Sequence, residues 1–323
     1  MLSRTLRSSV AVTELGMGVA QFGNLFRQTT DEASFAAVDA AWDAGIRYFD
    51  TAPHYGLGLS ERRLGAALAT RPRDEFVLST KVGRLLVPSG NPEGTMDDGL
   101  FVVPGTLRRE WDFSRDGIRR SIFESLERLG LDRIDIAYLH DPDDYGDQAN
   151  DQAIPALIEL REEGVLRAIG AGMNQSEMPA DFIRRHDVDV MMVAGRYTLL
   201  EQGALDDLLP LAAARGVGIV AAAVYNSGLL SQARPPADAM YDYAPAPAEV
   251  IARANAIADV CEEFGITLPD AAIAFPLRHP AVVSVVVGMR TAQQVASTAE
   301  RYDTAIPEAF WDALAERGLV RGE

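Results

Sequence analysis

Four residues able to move a proton stand at the ends of three short apolar runs. The run from Ile46 to Phe49, apolar except for Arg47, opens into Asp50-Thr51-Ala52-Pro53-His54-Tyr55-Gly56, which sets a carboxylate and a phenol five positions apart. Phe76-Val77-Leu78-Ser79-Thr80 ends in Lys81, and the largely apolar run from Ile134 ends in His140. A tyrosine with an ordinary pKa near ~10 is a poor base at neutral pH. An adjacent ammonium stabilises its phenolate, and a carboxylate keeps that ammonium charged and oriented. A histidine can donate to a substrate oxygen or relay the proton. Asp50, Tyr55, Lys81 and His140 are therefore expected to form one catalytic acid–base set.

Such a set needs a scaffold that gathers strand ends. Eight strand candidates run along the chain: Val10–Val19, Ile46–Phe49, Phe76–Lys81, Ile134–His140, Arg167–Ala171, Val188–Val193, Val217–Val224 and Val282–Val287. Most are followed by a helical pattern. One spans Asp31 to Ala44 with Asp31 as its cap, and Ser114 to Leu129 places Ile118, Ile122, Leu126 and Leu129 at helical spacing. No break in composition separates two halves. The pattern predicts an α/β chain folded as a single (β/α)8 TIM barrel over residues 1–323, with chemistry on the loops at the carboxyl ends of the strands. The absence of Gly-x-Gly-x-x-Gly after the first strand argues against a doubly wound dinucleotide fold.

Val82 to Phe113 shows neither period and is rich in proline and glycine. A loop this long in a compact domain is functional or disordered. Its place directly after Lys81 favours a lid, with Phe101, Trp111 and Phe113 either walling a pocket or anchoring the loop. The acidic stretch Asp141–Asp147 reads as a selector for polyols, a barrier to anions or a solvated turn. A second loop, Pro235 to Pro247, carries Tyr241 and Tyr243 and is expected to cover a ligand.

In this order and spacing, the motifs Asp50 to Tyr55, Ser79-Thr80-Lys81 and Leu139-His140 resemble those of the aldo-keto reductases. The likeness runs from Leu15-Gly16-Met17-Gly18 to the final helices. Within the family, Lys81-Val82-Gly83-Arg84-Leu85-Leu86, His140-Asp141-Pro142-Asp143-Asp144, Ala194-Gly195-Arg196-Tyr197-Thr198-Leu199-Leu200 and Tyr225-Asn226-Ser227-Gly228-Leu229-Leu230 are similar to a branch of L-fucose, D-threo-aldose and pyridoxal dehydrogenases. The resemblance implies an NAD(P)-dependent oxidoreductase. Its substrate would be a small hemiacetal or alcohol, such as L-fucose oxidised to its lactone, or pyridoxal, whose hemiacetal also yields a lactone. General aldehyde or ketone reduction is a further option. Asp50, Tyr55, Lys81 and His140 then take the family's catalytic positions, with Phe22, His54, Trp111 and Tyr145 around the substrate.

The resemblance also implies an extended dinucleotide across the carboxyl-end face. Gly18, Val19 and Ala20 end the first strand beside it. Asn174 would pair with the nicotinamide carboxamide, though the serine that usually precedes it in the family is missing. Tyr225 would stack on the nicotinamide ring or serve as a core aromatic. Asn226, Ser227 and the backbone through Gly228 and Leu230 would hold pyrophosphate. Gly288, Met289 and Arg290 lead into a helix capped by Thr291, a geometry suited to an anion. In the family, cations three and six positions after this glycine hold the adenosine 2′-phosphate. Here those positions are Thr291 and Gln294, both neutral, so NAD is expected over NADP. Arg290 is the remaining cation of the segment.

Composition narrows the partners. A formal charge of −17 argues against nucleic acid and anionic membranes. The single cysteine, Cys261, excludes a disulfide framework within one chain and reads as structural. No zinc, calcium or Walker pattern occurs, and no apolar h-region opens the chain. These features predict a cytoplasmic monomer or small homo-oligomer acting on a small molecule without a metal. Two other classes compete: a cofactor-binding regulatory barrel with little turnover, and a barrel lyase or isomerase without redox cofactor.

Overall fold

The computed structural model describes every residue except Ala237, Tyr243, Gly322 and Glu323. The expected covering role of Tyr243 therefore lies outside the described residues. Eight parallel strands close into a barrel in sequence order: β1 (Leu15–Gly18), β2 (Tyr48–Asp50), β3 (Val77–Val82), β4 (Ile136–His140), β5 (Ala168–Met173), β6 (Val190–Ala194), β7 (Gly218–Ala222) and β8 (Val282–Gly288). Registers carry the reactive ends to one rim. Gly18 pairs with Asp50 and with Gly288, Asp50 with Ser79, Lys81 with Tyr138, and His140 with Gly172.

Strand alternation decides which side chains face inward. In β3, Val77 joins the interior cluster with Tyr48, Ile136 and Tyr138, while Leu78 and Val82 join the layer under the helices. Ser79 and Lys81, two and four positions after Val77, share its inward face. On the outer face, Thr80 donates to Glu61 at 2.8 Å, and Arg128 from the helix Arg115–Leu129 meets the same carboxylate at 2.5 Å. That buried pair joins β3 to two outer helices.

The floor of the barrel departs from expectation. Val10 to Val19 is not one strand: Ala11–Thr13 pairs antiparallel with Ser3–Thr5, and only Leu15–Gly18 enters the barrel. Glu14 marks the break, its carboxylate held by Arg4 at 2.7 Å and Tyr302 at 2.7 Å. The hairpin places Leu6, Val10 and Val12 in the interior cluster and so closes the bottom.

The stretch after Lys81 is also more ordered than its composition predicts. Arg84–Pro88 and Leu107–Trp111 form an antiparallel ribbon, with Arg84 opposite Trp111. Its proline- and glycine-rich middle turns back over the barrel mouth, where Phe101 bridges to Leu25. In the loop 235–247, Met240–Tyr241 pairs with Ala244–Pro245. Tyr241 donates to Glu201 at 2.8 Å, and Arg196 meets Asp242 at 3.1 Å. The helix Glu177–Arg185 has no counterpart among the helical patterns read from sequence, and the first outer helix is capped by Thr30, which accepts from Ala33 at 3.1 Å, where Asp31 was expected. Among the described residues, no helix is long and apolar enough to cross a membrane.

Candidate active site

Three strand ends bring the four expected residues together. Lys81 Nζ donates to Asp50 Oδ2 at 2.6 Å and to the Thr51 carbonyl at 3.1 Å. The same ammonium lies 4.8 Å from the centre of the Tyr55 ring. His140 closes the group, with its ring 5.9 Å from that of Tyr55 and nearly perpendicular to it at 89°. The Tyr55 loop is held by a close backbone approach: Gly56 has φ of 63°, and a Cβ there would lie 2.3 Å from the Gly23 carbonyl oxygen. Only glycine fits that turn.

Under the four lies a polar network that the sequence reading missed. Ser79 donates to Asp50 Oδ1 at 2.7 Å and accepts from the Tyr48 hydroxyl at 3.1 Å, and Tyr48 shares a hydrogen bond with Tyr138 at 3.0 Å. Each oxygen of Asp50 thus has a fixed donor, so the carboxylate cannot rotate away from Lys81. Period-2 spacing of Ser79 and Lys81 was the available signal.

Burial governs the charge states. It pushes the Tyr55 phenol above its ordinary value, with Lys81 opposing and Asp50 adding to the rise. The ammonium alone would lower the pKa, as expected from the sequence, but the net direction is the reverse because the phenol is desolvated. For Lys81, burial works against the charge, but Asp50 and Tyr55 outweigh it and hold the pKa above its ordinary value. His140 is driven well below the ordinary histidine value by burial first and then by Arg84 and Lys81. His54 falls to about 2, again through burial and then Arg84 and Arg109. Both histidines are neutral at physiological pH. The arrangement offers a neutral phenol and a neutral imidazole to one reacting oxygen, with a permanent cation behind the phenol.

The mouth is aromatic on two sides. Phe101 stands 5.2 Å from His54 and 6.1 Å from Tyr55. Trp111 stacks with Phe113 at 5.8 Å and with Tyr145 at 5.7 Å, under the Arg84 guanidinium at 4.2 Å. Tyr145 and Trp111 therefore form one shelf. Phe22 is fully buried in the main core, so it does not line the mouth.

Comparison with known proteins adds to this geometry. A model of the aldo/keto reductase family matches residues 14–317. The chain belongs to the aldo/keto reductase family. It is 52% identical over 316 residues to D-threo-aldose 1-dehydrogenase from a Pseudomonas species, covering 97% of this chain and 96% of that protein. It is 38% identical over 332 residues to pyridoxal 4-dehydrogenase from Microbacterium luteolum, again covering 97% and 96%. Among solved structures, the holo form of an aldo-keto reductase from Bacillus halodurans superposes with a TM-score of 0.79 at 26% identity, covering 100% of this chain and 97% of that one. This aldo/keto reductase is accordingly an oxidoreductase on a (β/α)8 barrel, of a family that uses nicotinamide cofactors and small-molecule substrates.

The rim from β5 through β8 and β1 has features that fit such a cofactor. After β7, Asn226, Ser227 and Gly228 take successive φ values of 45°, 59° and 92°, and the buried Asn226 Oδ1 has no partner. The amides of Asn226 and Gly228 close the turn onto the carbonyls of Ala223 at 2.8 Å and Tyr225 at 3.0 Å, which leaves the Asn226 side chain and Ser227 to meet a cofactor. Gly288 is exposed at the end of β8, and Gln21 lies over it with Oε1 buried and unpartnered. Gln21 was not foreseen; nothing in its local sequence marks it. Gly18 and Ala20 stand on the same rim, and Asn174 is exposed at the end of β5, its amide 3.3 Å from Asp141 Oδ1.

Other expected contacts do not stand as read. Tyr225 is packed against the core, and its hydroxyl accepts from Arg301 on the outer helix Ala292–Asp303 at 3.3 Å. Tyr225 is thus half-buried, packed on the core along one side and tied by its hydroxyl to an outer helix. Val19, Leu230 and Met289 have fully buried side chains. Their amides are also engaged, with the carbonyls of Asp50 at 2.9 Å, Tyr225 at 3.1 Å and Gly18 at 3.2 Å. Arg290 turns back into the protein and donates to the carbonyls of Leu25 at 2.6 Å and Arg27 at 3.0 Å, and to Thr29. Its amide donates to Gln294 Oε1 at 2.8 Å. Cys261 is buried and its thiol is pushed up to about 12 by burial, in keeping with a structural role.

Proposed function

We propose that this aldo/keto reductase oxidises the anomeric hydroxyl of a small aldose to the lactone, with NAD as acceptor. The observation that carries the reaction type is the convergence of Asp50, Lys81, Tyr55 and His140 on one point at the mouth. In oxidation the minor ionised fraction of Tyr55 takes the hydroxyl proton, and Lys81 stabilises that phenolate. His140, neutral, donates to the same oxygen and fixes its lone pairs. A nicotinamide held along the rim by Asn174, Asn226, Ser227 and Gly288 would supply the hydride acceptor for the anomeric carbon. The ring oxygen of the sugar stabilises positive charge at that carbon, which makes a hemiacetal a good hydride donor.

The aldose is favoured by the 52% relative, a D-threo-aldose 1-dehydrogenase, and by the polar groups at the mouth. Pyridoxal is the second reading. It rests on the 38% relative and on the shelf of Trp111 and Tyr145, which stands at the mouth where an aromatic ring could pack. Asn226 and Ser227 would hold the pyrophosphate, and Gly18, Asn174 and Gly288 would border the dinucleotide.

NAD is favoured because a 2′-phosphate carries up to two negative charges and needs charge-assisted donors. Thr291 and Gln294 are neutral, and the Arg290 guanidinium is already engaged with the 25–29 loop. The test is one oxidation screen of aldoses and pyridoxal with NAD and with NADP, followed at the reduced-nicotinamide absorbance. Turnover of pyridoxal alone reverses the substrate order, and a kcat/KM ratio for NAD over NADP below one overturns the cofactor assignment.

A further inference from the structure

Two charged side chains at the mouth take no part in the proton relay. Arg84 opens the ribbon three positions after Lys81, and Asp141 directly follows His140. They form an ion pair with side chains only 12% and 22% exposed. A pair so buried is a weak source of stability, because desolvating both charges offsets most of their attraction. Four details give it another purpose. Asp141 has φ of 45°, a left-handed conformation that non-glycine residues seldom adopt. Its Oδ2 lies 3.6 Å from His140 Nε2, so the carboxylate stands beside the reacting centre. Arg84 Nε is buried without a partner, and so is Nδ1 of the neighbouring His54. The guanidinium plane is fixed by Trp111 below it.

We propose that Arg84, Asp141 and His54 form a polar subsite that binds the hydroxyl groups next to the reacting carbon and sets the preference for a polyhydroxylated ring. The inference rests on the aldose reading and narrows the acidic stretch 141–147 to one residue, since Asp143 instead accepts from Gln175 at 2.7 Å. A ring hydroxyl both donates and accepts. Asp141 accepts from it, Arg84 Nε–H donates to it, and neutral His54 can do either. A substrate lacking that hydroxyl leaves buried polar groups unpaired, and that penalty exceeds the gain from a satisfied bond. Discrimination therefore arises at this subsite, while the relay serves any carbonyl.

The experiment compares kcat/KM for an aldose, its 2-deoxy analogue and a hydroxyl-free aldehyde (benzaldehyde, in reduction) across wild type, Asp141→Asn and Arg84→Gln. The expected result is that the aldose-to-deoxy preference falls by roughly 10- to 100-fold in each variant, the scale of a hydrogen bond to a charged group. The aldose-to-benzaldehyde ratio falls with it. A uniform loss on all three substrates would show that the pair only supports the fold and would overturn the proposal, as would an unchanged preference. Should either variant fail to fold, Arg84→Lys keeps the charge but removes Nε–H and the planar fork; it is expected to lose the preference, and its retention overturns the subsite. Wild type that oxidises no aldose at all refutes the aldose reading, and the subsite with it, before any variant is compared.

Discussion

Replacing Lys81 with methionine isolates the electrostatic contribution to proton transfer. Methionine fills a similar volume and removes one charge, which stands 4.8 Å from the Tyr55 ring centre. With an effective dielectric near ~20, a unit charge at that distance is worth about 3 kcal/mol to a phenolate. Asp50 remains in both proteins, so the difference is the lysine's own effect. At a fixed pH below the Tyr55 pKa, the variant then carries about a hundredfold less phenolate. A more basic phenolate is also a better proton acceptor, which returns part of the loss, so oxidation is expected to fall by roughly ten- to a hundredfold. The sign of the pH effect follows from ionisation. Oxidation needs the phenolate, Tyr55 titrates above its ordinary value, and the rate therefore rises with pH toward an alkaline plateau. Losing the cation displaces that plateau to still higher pH, so the deficit narrows as pH rises. The assay is initial-rate oxidation with NAD from pH 6 to 11 on both proteins. An active Lys81→Met enzyme with the wild-type pH profile would falsify the account of the lysine. Asp50 is left buried and unpaired, which costs about 3–5 kcal/mol of stability. Thermal unfolding measures that separately, and Asp50→Asn added to Lys81→Met should restore stability without restoring rate.

Tyr55→Phe is expected to lower turnover by at least ~10²-fold while leaving cofactor affinity, read by intrinsic fluorescence, nearly intact; wild-type turnover would remove Tyr55 from the mechanism. Because burial keeps both His54 and His140 neutral, the rate–pH profile should show no inflection near the ordinary histidine value of ~6.5; an inflection there that disappears in His140→Gln would contradict the neutral imidazole. Trp111→Ala removes the support under Arg84 and should raise KM for substrate well beyond any change in cofactor binding; equal effects on both would reject a place in the substrate pocket. Arg290→Ala frees the carbonyls of Leu25 and Arg27 and should cost about 2 kcal/mol of stability, with NAD and NADP efficiencies moving together. Selective loss of NADP use would instead place the guanidinium on the 2′-phosphate.

Much of the molecule follows from local pattern. The alternation that puts Ser79 and Lys81 on one face of β3 is written in consecutive residues, and so are the apolar runs that end at Asp50 and His140. Eight such runs with helices between them leave few ways to bury both faces of every strand, which is why the barrel and the meeting of Asp50, Tyr55, Lys81 and His140 were legible. Tertiary structure decided what depends on distant partners. The ribbon 84–88 with 107–111 pairs segments whose own composition reads as loop. Tyr225 and Arg290 were assigned to the cofactor by position, but Arg301 ties the Tyr225 hydroxyl and the 25–29 loop claims Arg290, both from remote parts of the chain. The Arg84–Asp141 pair joins two strand ends that no local period connects. Charge states lie furthest from the sequence. Neighbouring residues suggested a lowered Tyr55 pKa, whereas the sign is set by how much water the surrounding fold removes, and desolvation is a property of the packed volume, not of residue order.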